Sequence, residues 1–180
     1  FGGGGGYIYF TYEAEKAKTA LLNISGNSAV FFNGELHAGD PYSSGWLHIP
    51  VKLKKGLNEL YVRSGGQKIV KLSFPKTPVQ LNTSDPTLPF IILGEPNNLL
   101  KGAVVVINSS PDPITNYQVR TMIGGKEVTT KVPDVPPMST RKIIFEFNGE
   151  AITVKGQHEC NVTLINKGKV VDEKKIMIDV

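Results

Sequence analysis

The chain has 180 residues, of which 40% are hydrophobic and 20% charged, a composition typical of a globular protein with one large or two small domains. The formal net charge is +4, and all but three of the 20 basic residues are lysines scattered along the chain. Nucleic-acid binders usually concentrate basic residues on one element with aromatics between them, so nucleic acid is not a predicted partner. No apolar stretch approaches the roughly 20 residues that cross a bilayer, and no membrane span is predicted.

The N-terminal region reads as glycines followed by strands. The run Gly2–Gly6 predicts a flexible lead-in, and it is not a phosphate loop because no Gly-Lys-Ser/Thr follows it. Aromatic and β-branched residues over Tyr7–Tyr12 predict a strand. A second strand is predicted over Thr19–Ser25, where every second residue is apolar. Because the chain begins with Phe1, we expect a fragment or a processed protein.

The strongest local signal is Asn33-Gly34, which lies between two short strand-like runs. Asn and Gly tolerate the positive φ angles of a tight hairpin turn. The residues of this pair are expected to serve the backbone geometry of the turn. A loop is predicted over 39–45, where Gly, Asp, Pro and Ser are concentrated.

Alternation continues after this loop. Leu47, Ile49, Val51 and Leu53 share one face, and Pro50 predicts that their strand either lies at a sheet edge or contains a break. Two more strands are predicted, separated by a turn at Gly65-Gly66. The last of them is expected to point Val70, Leu72 and Phe74 inward.

The second half begins after a proline-rich stretch. Pro75, Pro78, Pro86, Pro89 and Pro96 predict a semi-rigid connection and a domain boundary. Within it, the apolar segment 90–93 is interpreted as either the first strand of the next unit or a packing tether.

About seven strands are then predicted in about 90 residues, a count and spacing typical of an immunoglobulin-like sandwich. Gly124-Gly125 is expected to be a two-residue hairpin turn between two of them. The sequence therefore predicts an all-β protein of two small antiparallel β-sandwiches, the first jelly-roll-like and the second immunoglobulin-like. The expected division is a first sandwich over residues 1–75, a linker with a first strand over 76–99, and a second sandwich over 100–180.

The sequence contains no recognisable catalytic motif, so no catalytic residues, metal ligands or cofactor are predicted. His37, Asp40 and His48 surround one loop, but their spacing matches no zinc pattern, and surface histidines are the favoured interpretation. Loop oxygens near Asp40 leave a structural Ca²⁺ as an open alternative. The lone Cys160 shares a strand face with Val162 and Leu164 and is expected to be a buried free thiol.

The candidate ligand-binding residues are Tyr42 and Trp46, which flank the Gly/Ser end of the loop. Exposed aromatic rings on such a loop can stack against the faces of sugars. The alternative is that Trp46 caps the core and Tyr42 packs beside it, because an aromatic residue at the start of a strand usually belongs to the core.

A family resemblance follows from the order of elements around the hairpin. A strand ends in Phe31-Phe32-Asn33-Gly34-Glu35, the loop carries Gly39-Asp40-Pro41-Tyr42, and a later segment reads Leu53-Lys54-Lys55-Gly56-Leu57-Asn58-Glu59-Leu60. This order resembles galactose-binding-like jelly rolls over about residues 7 to 74. Residues 100 to 180 resemble immunoglobulin-like spacer domains of bacterial surface proteins.

The two resemblances imply a non-catalytic accessory or spacer module, not itself an enzyme, of a larger bacterial hydrolase in the periplasm or outside the cell. The implied partner is a covalently linked catalytic domain, with an α/β-hydrolase domain beyond Val180 as one possibility. The alternative function is a carbohydrate-binding module that uses Tyr42 and Trp46.

Overall fold

The computed structural model of the chain describes residues 6–63 and 69–180. The predicted Gly65-Gly66 turn and most of the Gly2–Gly6 lead-in lie outside the described residues. In the described part, every regular element is a strand, every strand pairing is antiparallel, and the strands form four sheets. The prediction of an all-β protein is confirmed. No helix in these two ranges is long and apolar enough to cross a membrane.

The first seven strands build two sheets. In chain order they are β1 (Tyr7–Ala14), β2 (Lys18–Ser25), β3 (Ala29–Phe32), β4 (Glu35–Ala38), β5 (Ile49–Leu53), β6 (Gly56–Arg63) and β7 (Ile69–Ser73). One sheet has the order β1-β6-β3-β4 and the other β5-β2-β7. Their inner faces share one core, to which β2, β3, β5 and β6 all contribute, with Ala20, Val30, Val51 and Val62 among its buried residues. They therefore form a β-sandwich.

The other seven strands build the second pair of sheets. They are β8 (Val79–Thr87), β9 (Leu100–Asn108), β10 (Tyr117–Ile123), β11 (Lys126–Lys131), β12 (Ser139–Phe147), β13 (Gln157–Asn166) and β14 (Lys169–Asp179). The sheet orders are β12-β9-β8 and β11-β10-β13-β14. A separate core lies between them and includes Phe145, Phe147, Val162 and Leu164.

The two sandwiches differ at their sheet edges. In the second, the backbone amide of Leu81 on β8 donates to the Asp172 carboxylate on β14, 2.8 Å away. At the opposite edge, the amide of Glu146 on β12 donates to the Thr130 hydroxyl on β11, also over 2.8 Å. In the first sandwich, an open cavity lies between β1 and β7, the end strands of its two sheets.

The hairpin prediction at Asn33-Gly34 is confirmed. The two residues have φ angles of 50° and 89° and join β3 to β4. Asn33 does more than turn the chain, however. Its side-chain amide donates to Oδ1 of the buried Asn58, 2.8 Å away, and its Oδ1 accepts a bond from the Glu59 backbone amide at 3.0 Å. The turn residue therefore also holds β6 in place.

Pro50 confirms the edge-strand prediction, because β5 is the terminal strand of its sheet. Phe74 contradicts the prediction that it faces inward. It follows the end of β7, its ring is exposed, and the Lys18 ammonium lies 3.5 Å from the ring centre. The apolar alternation of the sequence continues one residue beyond the end of β7, and no opposing sheet covers Phe74 at that position.

Residues 90–93 do not form a strand, so that alternative is wrong. The first strand of the second sandwich is β8, which pairs with β9 despite containing Pro86. Ile91 is nevertheless buried in the second core, so the segment packs onto the sandwich without joining a sheet.

The sandwiches meet through the outer faces of sheets β5-β2-β7 and β12-β9-β8. Leu21 of β2 packs with Val105 and Ile107 of β9 in a third apolar cluster, and Trp46 lies against it. Strand β9 is consequently buried on both faces, because Val104 and Val106 point into the second core. The Thr140 hydroxyl on β12 also donates to the carbonyl of His48.

Candidate functional site

The loop over 39–45 is organised by Asp40, which is buried. One carboxylate oxygen accepts bonds from the backbone amide and hydroxyl of Ser44, at 3.0 and 2.9 Å. The other accepts the Gly45 amide at 2.8 Å. Both oxygens of the Asp40 carboxylate, the group that would bind a structural Ca²⁺, are thus already hydrogen-bonded to backbone and hydroxyl donors of the loop. These bonds hold the loop in its conformation.

The two residues predicted to bind sugar lie in different environments. Tyr42 lies at the tip of the loop with 91% of its surface exposed. Trp46 is half-buried against the cluster of Leu21, Val105 and Ile107. The alternative prediction is that Trp46 caps the core of the first sandwich. The Trp46 ring packs instead at the junction of the two sandwiches.

The two loop-flanking histidines are half-buried rather than on the open surface. Burial lowers the pKa of each below the ordinary 6.5 by disfavouring the imidazolium form. A backbone hydrogen bond with Gly45 works against this effect at His48, and Glu35 works against it at His37. Over residues 6–63 and 69–180, no group of three or more His, Cys, Asp or Glu side chains is placed to hold a metal ion.

Cys160 confirms the prediction of a buried free thiol. It lies on β13 beside Val162 and Leu164 in the second core. Burial raises the pKa of the thiol to about 11, because the thiolate would lose its hydration. A nucleophilic cysteine needs the opposite shift, so this environment suits packing rather than catalysis.

A feature that the sequence interpretation missed is an aromatic row on the outer face of sheet β1-β6-β3-β4. Strand register places Tyr9 opposite Tyr61, Tyr61 opposite Phe31, and Phe31 opposite Leu36. The signal that could have revealed it is the alternation of Tyr7 and Tyr9 along the first strand, but its significance depends on which strands become neighbours.

The first sandwich also contains an apolar cavity of about 320 Å³. It opens between β1 and β7 and is lined by Phe10, Tyr12, Leu22, Phe32, Leu60, Val70 and Leu72, with Thr11 and Asn58. The buried Asn58 amide already donates to the carbonyl oxygens of Lys54 and Gly56, each 2.9 Å away. The cavity thus offers apolar surface and little polar recognition.

A second cleft, of about 420 Å³, lies at one end of the second sandwich and has Glu95 and Glu150 on its rim. Paired carboxylates are the catalytic groups of most glycosidases. Both side chains are exposed, however, whereas the acid of such a pair usually sits in a desolvated pocket. Glu95 and Glu150 therefore lack the desolvated environment that a glycosidase acid requires.

Comparison with known proteins supports the fold. No family model matches the sequence, and no curated protein matches it. A structure assigned as a β-galactosidase from Bacteroides fragilis aligns over 100% of this chain with a TM-score of 0.51 and 16% identity. A calcium-binding mutant of β-glucuronidase 2 from Bacteroides uniformis aligns over 96% of it with a TM-score of 0.50 and 12% identity.

The coverage is strongly asymmetric. The chain spans 33% of the first neighbour and 26% of the second. At these identities the likeness shows a shared fold: an all-β, two-sandwich arrangement that occurs as one part of larger chains.

Proposed function

We propose that this chain is a non-catalytic accessory part of a larger bacterial glycoside hydrolase, covalently linked to the catalytic domain. The observation that carries the proposal is the asymmetric coverage, because nearly the whole chain corresponds to a third or less of proteins with glycosidase names. In this proposal the first sandwich, over residues 1–75, is a jelly-roll-like unit. The second, over 100–180, is an immunoglobulin-like spacer, and residues 76–99 are a linker that also carries β8, the first strand of that sandwich.

The packing between the sandwiches supports a positioning role. Leu21, Val105 and Ile107 are all nearly inaccessible to solvent although they lie outside the two sandwich cores. An apolar contact backed by hydrogen bonds holds the two units in one relative orientation, as expected of a rigid spacer. A periplasmic or extracellular location is part of the proposal and follows from the family resemblance alone.

Two measurements test this role. The 180-residue protein, incubated with p-nitrophenyl β-galactoside and β-glucuronide, is expected to release no nitrophenol above a boiled control. The gene around the coding segment is expected to encode a glycoside hydrolase domain in the same reading frame. Turnover by the isolated chain would overturn the non-catalytic role, and a reading frame without a hydrolase domain would overturn the linkage.

Carbohydrate binding by Tyr42 and Trp46 remains the second candidate function, favoured by the nearly complete exposure of Tyr42. Because Trp46 is the sole tryptophan, its fluorescence reports on this loop directly. Titration with soluble polysaccharides should change the emission if the loop binds sugar. An unchanged emission at saturating polysaccharide argues against this site.

A further inference from the structure

The aromatic row crosses the whole sheet β1-β6-β3-β4. Side chains alternate between the two faces of a strand, and the partners Phe10, Leu60 and Phe32 point toward the cavity and the core. Tyr9, Tyr61, Phe31 and Leu36 therefore share the opposite, outer face. With neighbouring strands about 4.8 Å apart, four strands give the row a length of about 14 Å.

The rings form one contiguous surface. The ring centres of Tyr9 and Tyr61 are 4.9 Å apart, and those of Tyr7 and Phe31 are 6.0 Å apart. Tyr7, Tyr9, Tyr61 and Leu36 are between 41% and 63% exposed. Large side chains on one sheet face usually lie against a second layer, so a row left half in water indicates a surface that contacts something else.

A carboxylate borders this row. The Tyr9 hydroxyl donates to Oε1 of Glu59, 2.8 Å away, and this bond also raises the pKa of Tyr9, which keeps the donor protonated. An ionised carboxylate has two oxygens with about four acceptor sites, so the tyrosine bond leaves capacity for further donors. Arg63, opposite Tyr7 and two residues from Tyr61 along β6, supplies donors on the other side of the row.

The combination of exposed aromatic rings and a carboxylate favours a sugar over a protein as the ligand of this surface. The core of a protein–protein interface is depleted in charged residues, and the Glu59 carboxylate would lose its hydration there with only the Tyr9 hydroxyl as a donor. A sugar ring presents an apolar face that covers an aromatic side chain and equatorial hydroxyls that donate to a carboxylate. The row and Glu59 together match that pattern.

We propose that the outer face of sheet β1-β6-β3-β4 binds a neutral linear glycan, with Tyr9, Tyr61 and Phe31 stacking on successive sugar rings and Glu59 accepting sugar hydroxyl groups. This site is separate from Tyr42 and Trp46, and it can exist whether or not a catalytic domain is attached. It goes beyond the accessory role, because it assigns a ligand class and a surface to the first sandwich.

Affinity electrophoresis of the 180-residue protein tests the site. Soluble β-glucan, galactomannan, arabinoxylan and galactan are cast separately into native gels. At least one is expected to retard the protein, and replacement of a stacking ring (Tyr61→Ala) is expected to weaken that binding about tenfold, equivalent to about 1.4 kcal/mol. Tyr9→Phe keeps the ring but removes the bond to Glu59, and a smaller loss is expected.

The matched control is Phe90→Ala, which removes another exposed aromatic ring from outside both the row and the loop of Tyr42 and Trp46, and it is expected to leave retardation unchanged. Circular dichroism of each variant establishes that it is folded. Failure of all four polysaccharides to retard the wild-type protein would overturn the proposal, as would a Phe90→Ala effect equal to that of Tyr61→Ala. Concentration-dependent dimers of the wild-type protein that Tyr61→Ala abolishes would identify a second copy as the occupant, and would also overturn it.

Discussion

The side-chain amide of Asn82 donates a hydrogen bond to the carbonyl oxygen of Trp46, 2.9 Å away, and joins the first strand of one sandwich to the loop of the other. The Thr140 hydroxyl on β12 adds a similar link, because it donates to the carbonyl of His48 in the other sandwich. These polar contacts flank the apolar cluster of Leu21, Val105 and Ile107. The junction is therefore built like a small core.

The junction should be sensitive to the loss of apolar volume. Ile107→Ala is expected to cost about 2–5 kcal/mol in the free energy of unfolding, because Ile107 is fully buried between the sandwiches. Urea unfolding followed by Trp46 fluorescence measures this loss. The control Ile144→Ala, at an exposed position of the same sheet, should change stability by less than about 0.5 kcal/mol. Equal effects would show that the junction contributes nothing.

Asn33→Gly separates the two roles of the turn. Glycine adopts the φ of 50° at this position more easily than asparagine, so a residue that served only the backbone would tolerate the change. We expect a loss of about 1–3 kcal/mol instead, because the bonds to Asn58 and Glu59 disappear. Thermal or urea unfolding measures it, and unchanged or increased stability would contradict the bridging role.

Asp40→Ala should destabilise the loop. The carboxylate accepts three bonds from Ser44 and Gly45, and its removal is expected to cost about 1–3 kcal/mol. Since these donors already satisfy the carboxylate, millimolar Ca²⁺ or EDTA is expected to leave the melting temperature of the wild-type protein unchanged. A melting temperature that rises with Ca²⁺ in the wild type, but not in Asp40→Ala, would establish the calcium site instead.

The raised pKa of the buried Cys160 thiol predicts a loss of stability at alkaline pH. Its folded pKa of about 11 lies above the ordinary thiol value of 9.0, so the unfolded thiol releases its proton first as the pH rises. The contribution of this thiol is complete below pH 9.0 and is lost between pH 9.0 and about 11. Urea unfolding of the wild type and Cys160→Ala at several pH values isolates the effect. Parallel pH profiles of the two proteins would exclude it.

The environment of His48 predicts a loss of stability at acidic pH. Burial lowers its folded pKa below 6.5, and Lys71 lowers it further, so the unfolded imidazole binds a proton first as the pH falls. Stability should decrease as the pH drops below 6.5, and His48→Gln should show a smaller decrease. Melting temperatures of both proteins between pH 7.5 and 5 test this, and coincident slopes would contradict it.

Local patterns predicted most strands because alternation reports which residues share a face. The turns at Asn33-Gly34 and Gly124-Gly125 followed from residues that tolerate positive φ, and both occur. The pattern failed at Phe74 because alternation does not reveal where the opposing sheet ends. It also could not explain why Val104, Val105, Val106 and Ile107 are all buried, since that requires a layer on each side of β9.

The candidate sites show the same division. The sequence identified Tyr42 and Trp46 as aromatic residues beside a loop, and Cys160 as a small apolar residue of a strand face. It could not separate Tyr42 in solvent from Trp46 at the junction, because that difference depends on a strand more than fifty residues away.

By itself, the sequence determined the all-β class, the hairpin turns and the edge position of Pro50, because φ preferences, side-chain alternation and the missing proline donor act over a few residues. Only the tertiary structure decided that two sandwiches pack through Leu21, Trp46 and Ile107, and that Tyr9, Tyr61 and Phe31 form one row. Strand neighbours and layer contacts are set by burial summed over the whole chain, which no local pattern contains.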